Sequence, residues 1–272
     1  MSGPTAPPPT PSACLAALAS ADAARPRLTS VRPDGRVDLS AATLANWVAK
    51  TAHLLRDDLG AGPGDTVGLC LPRHWLAAVW LLAADCVGAT LRVAAAEDPD
   101  ALETLLAGAG PAPLAVLVGP GGDAGEAGPA PAAVAAAADP LGCEVLVASL
   151  RPFALPATDG LPGTARDLTD AVRPFPDTPA AVEPDGDLPL LRLADGSQAT
   201  RREVQAAAGE HAARAGWAEG VRLLAEGPVT AEALVTGLLA PWAVRGSAVW
   251  LGNLEPAAVV SLVEQERITA RA

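Results

Sequence analysis

Short apolar runs alternate with helix-length amphipathic patterns along most of this chain, and that alternation leaves few architectures open. Val67 to Leu71, Thr90 to Val93, Leu114 to Val118 and Glu144 to Leu150 have the length of strands, and the segments between them have helical period. Strands that are apolar throughout are buried on both faces, so the alternation predicts a mainly parallel sheet covered by helices on both sides. The expected fold class is α/β, made of two flavodoxin-like βα halves. Residues 1–11 read as a disordered Pro-rich tail and 12–150 as the first half. Residues 151–187 read as an ordered connector with a short helix near 165–172, and 188–272 as a second, truncated half.

Local signals place the helices. Ser40 is set to cap a helix whose inner face is Leu44, Trp47, Val48, Thr51 and Leu55, followed by a turn over Gly60 to Asp65. A buried helix runs from about His74 to Val87 and stops near Gly88. Asp98 and Pro99 read as the cap and first residue of a third helix carrying Leu102, Leu105 and Leu106 inward, and Ala130 to Ala138 as a fourth. Thr200 and Glu203 form a T-x-x-E capping box. After it come a strand at Val221 to Ala225, a helix from Thr230 to Val244, a strand at Ser247 to Leu251, a helix opened by Glu255-Pro256, and the start of a strand at Ile268 to Ala272. Ser40 with Thr200, Pro72 with Pro228, Gly88 with Gly246 and Asp98-Pro99 with Glu255-Pro256 recur in one order, which predicts a duplicated βαβα unit.

Composition narrows function. Nineteen basic residues against 31 acidic ones give a net charge of −12, which repels nucleic-acid polymers and anionic membranes. The longest apolar stretch, Trp75 to Ala84, is far short of the ~20 residues of a membrane span, and the segment before Ala13 to Ala19 has no basic residue, unlike a signal peptide. Cys14, Cys70, Cys86 and Cys143 are far apart and read as reduced thiols, and His53, His74 and His211 lie on separate helices without metal spacing. A cytoplasmic protein without a metal is expected. Six tryptophans in a chain of 3% aromatics read as packing volume.

The stretch "DLSAATLANWVAKTAHLLRDDLGAGPGDTVGLCLPRHWLAAVWLLAADCVGATLRV", Asp38 to Val93, resembles the opening of the adenylate-forming enzymes, the acyl-CoA synthetase, adenylation-domain and luciferase superfamily. "GLLAPWAVRGSAVWL" at Gly237 to Leu251 and "EPAAVVSLVEQERITA" at Glu255 to Ala270 are similar to segments downstream of that family's phosphate loop. "LVASLRPFALP" and "LPGTARDLTDAV", within Leu146 to Val172, resemble a short, uncharacterised bacterial family that keeps only the first part of this fold. The resemblance implies a shared fold and does not by itself carry an activity.

In active relatives a loop T-S-G-[ST]-T-G-x-P-K-G holds the ATP phosphates through backbone N–H groups and a lysine. A gapless register places Ala194 to Glu203 on it: Gly196, Ser197 and the basic Arg202 match in kind, while Asp195 and Glu203 bring negative charge. One such contact at ~4 Å and an effective dielectric of about 20 costs roughly 4 kcal/mol against a phosphate. Asp195, Gly196, Ser197, Thr200 and Arg202 are the candidate nucleotide-binding residues of a degenerate loop, and no catalytic residue is assigned. Asp195-Gly196 as a turn and Thr200 to Glu203 as a cap account for the same residues. The later motifs of the family, with the catalytic lysine, have no counterpart in these 272 residues. The expected role is that of a non-catalytic pseudoenzyme that needs no cofactor and binds a protein partner or a small acyl or nucleotide ligand. The alternative is ATP- and Mg-dependent carboxylate activation completed by a separate chain, with Arg202 standing in for the lysine and Ser197 for the loop hydroxyl. Gly60 to Gly64 lies between helix and strand, the reverse of a dinucleotide turn. Gly119 to Gly122 follows a strand, but the loop carries Asp123 and Glu126 and no lysine.

Overall fold

The computed structural model describes residues 9–108, 110–121, 126–152, 155–156, 161–179, 185–193, 195–254 and 256–272. Most of the tail predicted over 1–11 lies outside them. Thr10 caps the first helix through its hydroxyl, and Pro11 opens it, a position where the missing N–H costs nothing.

The chain is α/β, with two mainly parallel, flavodoxin-like sheets. Helix α1 (Pro11–Ala21) precedes an antiparallel hairpin, β1 (Pro26–Arg32) and β2 (Gly35–Ser40). Next come α2 (Ala41–His53), which widens into a π turn at Leu54–Asp58, then β3 (Thr66–Cys70), α3 (Trp75–Val87), β4 (Thr90–Val93), α4 (Ala101–Ala107), β5 (Ala115–Val118), α5 (Pro131–Ala138) and β6 (Glu144–Val147). The connector holds β7 (Arg166–Asp167) and α6 (Leu168–Val172). The remainder is β8 (Pro189–Arg192), β9 (Gln198–Thr200), α7 (Arg201–Arg214), β10 (Arg222–Ala225), α8 (Ala231–Leu234), α9 (Ala240–Ala243), β11 (Ser247–Leu251), α10 (Pro256–Gln265) and β12 (Ala270–Arg271).

The larger sheet has the order β7-β6-β5-β3-β4-β8-β9 and the smaller one β12-β10-β11-β1-β2. Sheet membership therefore does not follow the sequence halves. Hairpin β1-β2 pairs with β11 of the second half, Leu28 beside Ala248 through Val31 beside Leu251. Hairpin β8-β9 in turn joins β4 of the first half, with Leu91 beside Leu191. Ser40 and Thr200 occupy matching places, each ending a hairpin and capping the helix that carries the chain into the other sheet.

Most helix signals act as predicted. Ser40 accepts from Thr43 N–H at 3.1 Å, and Gly88, at φ +86°, ends α3 in a left-handed turn that favours glycine. The third helix starts later than its cap signal implies. Asp98 spends its carboxylate on Asp100 N–H at 2.9 Å and its carbonyl on Ala101, making a turn, so α4 begins at Ala101 with Asp100 at its N-cap position. The helix predicted over 230–244 is divided by a π turn at Val235–Leu239. Helix α3 is buried on nearly all sides between the sheets, and Trp75, Trp80, Trp242 and Trp250 are at most 1% exposed.

Candidate functional site

The segment predicted to resemble a phosphate loop is a closed hairpin turn. Gly196, at φ +84°, lets the chain reverse between β8 and β9, with Leu193 N–H donating to Ser197 O at 2.9 Å and Gly196 N–H to Leu193 O at 3.0 Å. Asp195 turns its carboxylate back into the turn, accepting from Ser197 N–H at 2.9 Å and Ser197 Oγ–H at 2.6 Å. The Ser197 donors hold the Asp195 carboxyl below the usual range.

Thr200 and Glu203 close both halves of their box. Glu203 N–H donates to Thr200 Oγ1 at 3.2 Å, and Glu203 Oε2 accepts from Thr200 N–H at 2.8 Å and its hydroxyl at 2.9 Å. These donors lower the Glu203 carboxyl. Arg201 N–H and Arg202 N–H are bound to the carbonyls of Leu188 and Gly186. The structure thus brings Asp195, Gly196 and Ser197 together in one turn and Thr200 and Arg202 together at one helix start. In both places the backbone donors that would face a phosphate are spent internally. Arg202 is exposed and donates to Asp187 Oδ1 at 3.0 Å; Ala194 lies outside the described residues.

Beside this surface arginine sits a buried one that the sequence does not announce. Arg201, 0% exposed, inserts between α7 and α3, donating to the carbonyls of Ala84, Asp85, Ala89, Leu188 and Pro189. Its Nε lies 3.0 Å from Asp85 Oδ1, and Asp85 Oδ2 accepts from Ser12 N–H of α1 at 2.7 Å. Burial pushes the Asp85 carboxyl up, against the pull of Ser12 and Arg201. Three helices are fixed to one another at this pair.

A second focus lies where the carboxyl ends of both sheets face each other, the place where open α/β sheets bind ligands. Arg73, after β3, donates to the carbonyls of Glu226, Gly227 and Pro228 after β10 at 2.9 to 3.0 Å, with its guanidinium 5.3 Å from the Trp250 ring. Burial pulls the Arg73 guanidinium down to about 10. Trp250 Nε1–H donates at 2.9 Å to Gly237 O, whose i+4 residue, Pro241, has no N–H to offer it. Buried Arg32 pairs with Glu126 and lies 3.8 Å from Asp34. His74 caps α3 by accepting from Leu76 N–H, and burial together with Arg32 pushes its imidazole down to about 3. Among the described residues these side chains line the crevice. The cavity among Ser30, Arg32, His74, Trp75 and Leu150 measures about 10 Å³, the size of one water molecule.

The other histidines have local roles: His53 binds Asp57 Oδ2 at 2.7 Å, and the His211 ring lies 5.3 Å from that of Trp217. Among the described residues no group of three His, Cys, Asp or Glu side chains converges, and no helix is long and apolar enough to cross a membrane. Burial raises all four thiols, Cys14 to about 11 and the others to about 12, so they remain protonated at neutral pH.

No family model matches the chain. A "TIGR03089 family protein" of Mycobacterium tuberculosis (strain ATCC 25618 / H37Rv) is 35% identical over 266 residues, an alignment covering 94% of this chain and 95% of the relative. With similarity of that degree running through nearly the whole of both chains, this protein belongs to the TIGR03089 family.

Proposed function

We propose that this is a non-catalytic relative of the N-terminal part of the adenylate-forming enzymes, a cytoplasmic protein that acts by binding a protein partner or a small acyl or nucleotide ligand. The observation that carries the reading is the state of the loop from Asp195 to Glu203. Phosphate cradles work by leaving several backbone N–H groups unpaired and convergent. Here the amides of Gly196, Ser197, Thr200, Arg201, Arg202 and Glu203 each have an internal acceptor. Opening the turn for a polyphosphate breaks these bonds and leaves the Asp195 and Glu203 carboxylates beside the ligand. The water-sized cavity beside Arg32 and His74 supports the same reading. Four cysteines without disulfides support the compartment.

Calorimetry with Mg-ATP, AMP and CoA, followed by carboxylate-dependent pyrophosphate exchange, tests the proposal. The expected result is no heat of binding at millimolar Mg-ATP and no exchange. Tight Mg-ATP binding that disappears in Arg202→Ala overturns it in favour of an active carboxylate-activating site.

A further inference from the structure

Helix α2, helix α6 and residues 155–156 flank an open cavity of about 360 Å³, within the ~300–1,000 Å³ range of small-molecule sites. None of its lining residues belongs to the loop or the crevice described above. Trp47, Leu155, Pro156 and Val172 supply apolar walls, and Trp47 is held edge-on against Trp75 at 5.1 Å. Lys50 and Arg173 also line the cavity, and among the described lining residues none is acidic.

The charge on this lining is unusual for the molecule. Lys50 is the only lysine in a chain of net charge −12, and its ammonium donates to the Phe175 carbonyl with no carboxylate partner among the described residues. Arg173 pairs with Asp170 at 3.2 Å, both side chains more than half exposed, the kind of pair that exchanges partners at little cost.

We propose that this cavity binds a small amphipathic monoanion, with a flat or branched apolar body against Trp47 and Val172 and an anionic head served by Lys50 and Arg173. The site goes beyond the function proposed above and shares no residue with the loop, so the two fail separately. Volume sets the size of the body. The lone unneutralised ammonium sets the sign and number of charges.

A paired-probe titration of the full chain tests this. 8-Anilinonaphthalene-1-sulfonate carries the required charge; N-phenyl-1-naphthylamine has the same ring system without it. The sulfonate is expected to bind with one saturable site, and Lys50→Gln or Arg173→Gln to weaken it roughly three- to tenfold, the range of a partly exposed ion pair. The neutral probe is expected to be unchanged by either, and Asn46→Trp, which fills the cavity from its exposed side, to lose both probes. Far-UV melts confirm that each variant folds. Because Lys50 is the sole lysine, its reductive methylation, followed by peptide mass spectrometry, gives a second readout that needs no variant, and bound sulfonate is expected to slow it. Absence of saturable binding, equal effects on both probes, or an unchanged methylation rate overturns the proposal.

Discussion

Arg201 and Arg202 are adjacent in sequence and opposite in fate, and helical phase decides which is which. As the first helical residue after the Thr200 cap, Arg201 points down into α3, while Arg202 turns outward to Asp187. Arg201→Met is expected to cost about 3–5 kcal/mol, because it leaves Asp85 buried without its cation. The double variant Arg201→Met with Asp85→Leu is expected to recover much of that loss, and Arg202→Ala to stay within about 1 kcal/mol of wild type. Urea midpoints of the four proteins check this, and equal losses for Arg201→Met and Arg202→Ala contradict it. His74 gives a pH signature. Its imidazole titrates near 3 when folded and near 6.5 when unfolded, so between those values the unfolded chain binds the additional proton and stability falls with falling pH. Lowering the pH from 8 to 5 is expected to cost about 2 kcal/mol through this residue. His74→Asn keeps a capping acceptor and is expected to flatten that slope in melts at the two values; an undiminished slope assigns it to another group.

Helix starts were the most readable elements, because capping is local chemistry. Ser40 and Thr200 each accept an N–H three residues on, as their sequence contexts imply, and Thr230, read from the sequence only as a helix start, does the same. Thr200→Ala removes one side of the box and is expected to cost about 1 kcal/mol, with amide exchange accelerated in the first turn of α7; unchanged exchange there means the box is dispensable. In the hairpin β1-β2 only the turn is marked locally, by Pro33-Asp34-Gly35, and the inner strand is not. That strand buries Arg27, Thr29, Ser30 and Arg32, so neither an apolar run nor a clean alternation marks it. Arg27 is paired from far along the chain, donating to the carbonyls of Arg245 and Gly246, and Thr29 accepts from Arg222 while donating to Asp38 of its own hairpin. The carbonyls that satisfy Arg27 lie over 200 positions away, beyond the reach of any local window. The same holds for the candidate site. The turn at Asp195-Gly196 and the cap at Thr200 follow from short-range rules, whereas Arg201 and Arg73 owe their burial to carbonyls supplied by other elements.

Reciprocal exchange of hairpins ties the two sequence halves into one cooperative body. The smaller sheet takes its β1-β2 edge from the first half, and the larger sheet takes β8-β9 from the second. Arg73 then bridges them across the carboxyl ends through three carbonyls after β10. The alternation of strands and helices revealed the class of fold, but strand pairing across more than 200 residues depends on which edge each hairpin completes, and that information is not periodic. Severing the chain within the connector has a definite consequence. A fragment of residues 188–272 keeps β10, β11 and β12 but leaves the β11 edge, with Ala248, Val249 and Trp250, without β1, and an unpaired apolar edge is costly and prone to aggregate. A fragment of residues 1–187 presents β1-β2 with no sheet to join and β4 with an open edge. Each fragment is expected to give far-UV and amide NMR spectra of a largely unfolded chain, and an equimolar mixture to recover the native spectrum. A cooperative thermal transition in the isolated 188–272 fragment contradicts this, since it requires the smaller sheet to stand without the strands it borrows.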